Sequence, residues 1–386
     1  MSDPRPRALP VKSASVLALL FLAACEGGGS IASRLSPRDT LFIGVAASRA
    51  GDASSYALGV QIAVDHLNAA RPRGSSPFGV RLAPVEQSSQ VIVAAHFRDD
   101  AQVIGVVGHT GSAQTMEAAA IYGDVEQRGA RGVVAISPTA TNPEVTRSSE
   151  WVFRVCPTDI DAAKALARYT ADSLKARRVA VVFRNDLFGR GFSRNFLPDV
   201  EARGARIVEH DPYLAGFTEW DAYAQRLMLR GIDAVVIIGG STDAVDLIRA
   251  LRRTGLNPPI LGTDDVARLG TDPTAAKEFE GVRFTSFYVA PDESPSSSPT
   301  PSQRFAAEYR ERHAEPPNHQ AALSYDAAML IGRAALAVGP DRHRIREWIA
   351  SVGRTTPAFD GVTGEIRFDE WGDPIDKPVR IGQVRP

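Results

Sequence analysis

Val103-Ile104-Gly105-Val106-Val107-Gly108-His109-Thr110-Gly111-Ser112-Ala113-Gln114 is the stretch on which the fold turns. It opens with an unbroken apolar, β-branched run, turns through two glycines and enters residues of helical composition. A strand with one wet face alternates apolar and polar residues. An unbroken apolar run is instead buried on both faces, as in a parallel sheet layered between helices. The pattern recurs: strands are predicted at 41–46, 80–85, 103–107, 133–136, 179–183, 206–209, 234–238, 259–261 and 282–285. Helices are predicted between them at 56–69, 112–127, 161–175, 191–203, 219–230 and 242–254. The expected fold class is α/β, with two doubly wound, Rossmann-like lobes, because 386 residues exceed what one core usually organises.

The last third changes character. A Pro/Ser loop at 291–301 precedes two or three helices within 302–352, and β-like segments at 364–369 and 379–384 end the chain around the turn residues 370–374. Helices first and strands last suit a chain that returns to each lobe in turn.

The first residues read as an export signal. Arg5, Arg7 and Lys12 precede an apolar run at 14–24, too short to span a bilayer comfortably, which stops at Cys25. Leu22-Ala23-Ala24-Cys25 resembles the lipobox of bacterial lipoproteins, in which the thiol carries the diacylglycerol. The expectation is therefore a signal peptide at 1–24, lipidation of Cys25, and a Gly/Ser tether at 25–39 that holds the protein at the membrane surface of the cell envelope. The alternatives are a plain signal peptide or a buried apolar helix that happens to contain a cysteine. Processing at Cys25 leaves Cys156 as the second of two cysteines, so no internal disulfide is expected. Between Val155 and Pro157 it reads as a small buried apolar residue rather than a reactive thiol.

Composition narrows the function. Lys and Arg total 44 against 45 Asp and Glu, with both signs scattered, so no basic block recommends nucleic acid as a partner. No P-loop, HExxH or GxSxG is present, and the seven histidines show no metal-ligand spacing, so neither an enzyme nor a cofactor is expected.

In open parallel sheets ligands bind beyond the carboxyl ends of strands. Gly108-His109-Thr110-Gly111-Ser112 follows one such strand, and free amides at the next helix start attract an anion, with Ser112 placed to cap that helix. Ser137-Pro138-Thr139-Ala140-Thr141-Asn142-Pro143 follows another and offers hydroxyls and amides in one arc. Each equally fits an ordinary βα turn. Asp264 and Asp265 follow a third strand end, and Asp159 and Asp161 follow the apparent lobe junction. Taken singly, an aspartate at such a place is a cap or turn residue, and the strand-end position is what raises Asp264 above that.

Many short stretches, in order, resemble the branched-chain amino-acid (leucine/isoleucine/valine) binding proteins of ABC importers, of the type I periplasmic-binding fold. They include Ala63-Val64-Asp65-His66-Leu67-Asn68, Ile136-Ser137-Pro138, Thr141-Asn142-Pro143, Phe153-Arg154, Phe188-Gly189-Arg190-Gly191, Ser324-Tyr325-Asp326-Ala327 and Gly361-Val362-Thr363-Gly364. The resemblance implies lobes of 40–157 plus 290–360 and 158–289 plus 361–386. Three hinge crossovers would then lie near 156–159, 288–291 and 359–362. It implies that Ser112, Thr139 and Thr141 hold a ligand carboxylate, that Asp264 meets the ammonium, that Asp159 stands at the cleft, and that His109 belongs to the binding loop. It further implies a monomer that takes an amino acid or small amide and docks on an ABC permease. Departures from the family pattern are Phe188 at an aromatic position, Ser241 and Thr242 where tyrosine is common, and a short first loop at 47–55 with Tyr56 as a loose aromatic candidate. They suggest a roomier, more polar side-chain pocket. The same fold also serves ligand-sensing receptors, which is the alternative reading.

Overall fold

The computed structural model describes residues 39–385 apart from 48–49, 84–88, 271–272 and 292–297. The expected signal peptide, Cys25 and nearly all of the tether lie outside the described residues.

The first sheet is built from β1 (Leu41–Ala46), β2 (Phe78–Leu82), β3 (Val103–Gly108), β4 (Ala135–Ser137) and β5 (Val152–Arg154), all parallel, in the order β2-β1-β3-β4-β5. Its helices are α1 (Ala50–Ala70), α2 (Gln90–Asp99), α3 (Ser112–Tyr122) and α4 (Glu144–Arg147). The second half runs α5 (Asp159–Arg168), β6 (Arg178–Arg184), α6 (Leu187–Ala202), β7 (Arg206–Tyr213), α7 (Trp220–Met228), β8 (Ala234–Ile238), α8 (Ser241–Arg253), β9 (Ile260–Gly262), α9 (Pro273–Glu278) and β10 (Arg283–Ser286). After α10 (Pro301–His313), α11 (His319–Val338) and α12 (Arg342–Ala350) come a small hairpin, β11 (Phe359–Gly361) with β12 (Gly364–Ile366), and then β13 (Arg380–Gln383). The second sheet is ordered β13-β10-β9-β8-β6-β7, parallel except for β13. Without β13 both sheets repeat one winding, so each has a point where the strand order reverses and its loops part.

The unbroken runs are buried as expected. Every residue of β3 and of β8 is buried, and α8 puts Ala244, Leu247, Ile248 and Leu251 on its covered face at helical spacing. Among the described residues one helix, α11, is long and apolar enough to cross a membrane, and 78 % of its apolar window is buried inside the protein. It lies along α1 so closely that a side chain at Gly59 would place its Cβ 2.1 Å from the Ala321 carbonyl oxygen.

Several element boundaries differ from the sequence expectation. The helix expected over 112–127 stops at Tyr122, where Gly123 leads into Asp124 in the left-handed region (φ 46°). The helix expected from 161 begins at Asp159, closed by a capping box between Thr158 and Asp161, and ends in a π turn at Tyr169–Ser173. Strand β5 was not expected, since its three residues end in a fully buried arginine that breaks the apolar signal.

The third crossing also falls later than 359–362. Asp326 of α11 accepts hydrogen bonds from the Val362 and Thr363 amides and the Thr363 hydroxyl, while buried Lys377 donates to Thr363 Oγ1. Phe368 packs edge-on against Phe153, and Asp373 meets Arg154, both on β5. The segment up to Lys377 is therefore fixed to the first sheet and its helices, and the chain reaches the second sheet only at β13.

Candidate functional site

The strand ends of both sheets face one cavity of about 590 Å³. Such a volume lies within the range of small-molecule sites, roughly 300–1,000 Å³. From the first lobe come Thr110–Gln114 after β3 and Thr139 and Thr141 after β4, with Tyr56 of α1 and His319 and Gln320 of α11. From the second come Arg184 at the end of β6 and Asp186 after it, Phe188 on α6, Phe217 and Thr218 before α7, the first turn of α8 after β8, and Asp264, Asp265 and Arg268 after β9.

Gly111 precedes α3 in an extended conformation and no side chain caps that helix. Its first amides therefore have no partner within the helix, and Gly111, Ser112 and Ala113 line the cavity. Ser112 does not cap, contrary to expectation: it is the first helical residue, and its hydroxyl accepts from the Asn142 amide, 3.2 Å away, joining the two loops. Tyr56 Oη lies 3.0 Å from Thr139 Oγ1, which donates to the Thr110 carbonyl at 2.7 Å. This wall is uncharged and rich in donors.

The opposite wall is charged. Asp264 is 9 % exposed, and burial, reinforced by the neighbouring Asp265 charge, raises its carboxyl well above the usual range. His319 Nε2 stands 3.8 Å from Asp264 Oδ2, too far for a hydrogen bond, and burial lowers the imidazole to about 4, helped by the Arg268 charge. Histidine and acid are both pushed toward their neutral forms, so they do not form an ion pair. Arg184 donates from Nε to Asp186 Oδ2 at 2.5 Å, and Asp186 also caps α6 through the Gly189 amide.

Five of the six residues expected in the site, Ser112, Thr139, Thr141, Phe188 and Asp264, line this cavity. Asp159 does not. It sits behind the wall, where its amide donates to the Thr141 carbonyl at 2.8 Å. Burial pushes the acid up to about 6, opposed by the Thr141 hydroxyl, which turns toward the carboxylate, and by the Arg154 charge. His109 also departs from expectation. Its ring is fully buried between Gln90 and Tyr122, 2.7 and 2.8 Å away, and burial lowers it to about 4. Only its carbonyl serves the loop, accepting from Ser137 Oγ and Thr115 Oγ1. Cys156 is buried, as its apolar flanks suggested.

Arg184 and Asp186 were legible in principle, since they stand at the carboxyl end of β6 as the other site residues stand at their strand ends. His319 and Gln320 carried no such signal, because they arrive from the helical tail.

Residues 40–386 match the family model of the periplasmic binding proteins. An amino acid binding protein of Pseudomonas aeruginosa is 28 % identical over 254 residues, 63 % of this chain and 66 % of that protein, so the match spans just under two thirds of the relative's length. The isoleucine complex of a branched-chain amino acid transporter substrate binding protein from Streptococcus pneumoniae superposes with a TM-score of 0.77 at 23 % identity, covering 90 % of this chain and 96 % of the other. The leucine complex of an ABC transporter substrate-binding protein from Desulfitobacterium hafniense gives 0.74 at 25 % identity, covering 90 % and 98 %. Two like-wound lobes over a shared cavity, with a match running from the first strand to the last residue, make this chain a member of the periplasmic binding protein family, of type I fold.

Proposed function

We propose that the chain is an extracytoplasmic solute-binding protein that captures a zwitterionic amino acid or small amide and delivers it to an ABC importer. The observation that carries this reading is the opposition of the two walls. The uncapped amides of Gly111–Ala113 and the Ser112 hydroxyl, with Thr139 and Thr141 beside them, suit a carboxylate, while Asp264 across the cavity suits an ammonium. A ligand that touches both walls favours the closed lobes by its greater affinity for that state, and the closed shape is what a permease would read. The relatives named for amino acids, and those crystallised with isoleucine or leucine, support the same ligand class. In this reading the lobes comprise 40–157 with 298–377 and 158–291 with 378–386, and the protein works as a monomer. Cys25 anchors it to the envelope.

Calorimetry against the twenty amino acids and their simple amides tests the ligand. Binding should weaken by about tenfold or more in Ser112→Ala and in Asp264→Asn, each of which loses a charge-assisted contact worth about 1.5–3 kcal/mol. Wild-type affinity in both variants, or no binding by the parent, would overturn the assignment. Metabolic labelling with a fatty acid tests the anchor: label should enter the parent and be absent from Cys25→Ser.

A further inference from the structure

Arg154 takes no part in lining the cavity, yet every donor of its guanidinium is engaged around the loop that does. The side chain is completely buried at the end of β5. Nη1 donates to the Ala140 carbonyl at 3.1 Å and to the Asn142 carbonyl at 2.7 Å, and Nη2 donates to the Pro143 carbonyl and the Thr146 hydroxyl, both at 3.4 Å. Nε donates to Asp373 Oδ1 at 2.6 Å, and Thr146 Oγ1 donates to that same oxygen at 2.7 Å. The Thr141 carbonyl is taken by the Asp159 amide.

Carbonyls 140 through 143 are thus all held on the side away from the ligand, leaving Thr139 and Thr141 to present their side chains to the cavity. Five N–H groups in a rigid plane can gather the carbonyls of 140, 142 and 143 in a non-regular turn together with the Thr146 hydroxyl and a carboxylate. A lysine ammonium, with three rotatable donors, cannot satisfy the same set. Asp373 belongs to the segment that precedes the third crossing, and the Arg154 amide also donates to Gly372 there.

We infer that Arg154 is the positioning residue of the ligand loop: it presets Thr139 and Thr141 for the ligand and, through Asp373, ties their placement to the third linker between the lobes. The inference rests on the cavity being the ligand site as proposed above, while one arm of its test needs no ligand.

The exported full chain is compared with Arg154→Lys and with Ile349→Ala, a fully buried α12 position that serves as a control for lost stability. The first readout is calorimetric affinity for whichever amino acid the parent binds. The second is the amide NMR signals of Thr139 and Thr141 in ligand-free protein labelled with 15N-threonine, with Thr254, at the end of α8 away from the cavity, as internal reference. Arg154→Lys should weaken binding by about tenfold or more and shift or broaden signals 139 and 141 but not 254. Ile349→Ala should lose stability and keep both affinity and signals. Parent-like affinity and signals in Arg154→Lys would overturn the inference, as would equal losses in the two variants, which would mark the arginine as structural only. If Arg154→Lys does not fold, Asp373→Asn decides: displaced 139 and 141 signals support the role, and unchanged signals refute it. A parent that binds no amino acid sinks the proposed function but leaves the signals of the ligand-free protein to judge Arg154.

Discussion

Asp159 offers the sharpest test of the site's electrostatics, because its carboxylate is buried with the Thr141 hydroxyl and the Arg154 charge offsetting only part of the lost hydration. Its acid stands at about 6 in the folded protein against an ordinary 3.8. A carboxyl raised on folding binds its proton more tightly in the native state, so between those values the native form holds more protons than the unfolded form. Stability carried by this group is therefore lost as the pH rises through the window and stays lost above it. The displacement from 3.8 to about 6 corresponds to a penalty of about 3 kcal/mol at pH 7.5, and linkage leaves under about 1 kcal/mol of it at pH 4. Asp159→Asn removes the ionisation. Its own fixed cost, a buried amide in place of an acid, is the same at both pH values and cancels in the difference. Urea unfolding of parent and variant, both free of ligand, should therefore show the variant gaining about 2 kcal/mol relative to the parent between pH 4 and pH 7.5. Loss of the Asp159 charge also eases ionisation of Asp264, which lies within its field, and this adds in the same direction. The parent alone is a poor readout, since buried His109 and His319, both lowered to about 4, lose stability as the pH falls below 6.5 and so oppose the trend. A stability difference that stays constant across the pH range would refute the reasoning and mean that water or a cation already solvates the carboxylate.

Ligand binding should release protons, because an ammonium brought to Asp264 lowers an acid that burial and Asp265 have raised. Calorimetric enthalpies measured near pH 6 in buffers of different ionisation heat should differ, with affinity rising toward higher pH, and identical enthalpies would exclude the coupling. Gly59→Ala should cost about 1–3 kcal/mol in chemical denaturation, since the new methyl meets the Ala321 backbone and α1 must move off α11. An unchanged midpoint would show that the two helices are free to slide apart. Cys156 should resist thiol reagents in the native Cys25→Ser protein and react fully in urea, because it is buried and burial raises its thiol well above the usual range. Rapid native labelling would contradict that packing.

What the sequence determined by itself is the architecture and the rim of the cavity. Strand type follows from an unbroken apolar run such as 103–107, and loop function follows from the rule that ligands sit at carboxyl ends, so Ser112, Thr139, Thr141 and Asp264 were legible where they stood. Both signals are local, readable within a dozen residues. Tertiary structure decided the rest. Arg154 meets Asp373 across 219 residues, and His319 faces Asp264 from a different lobe. His109 occupies the binding loop yet turns its ring into the core, and Asp159 lies behind the wall it was expected to form. Periodicity records which face of an element is covered, not which distant element covers it. A buried polar side chain goes wherever burial leaves it a partner, and that is settled only when both sheets have closed.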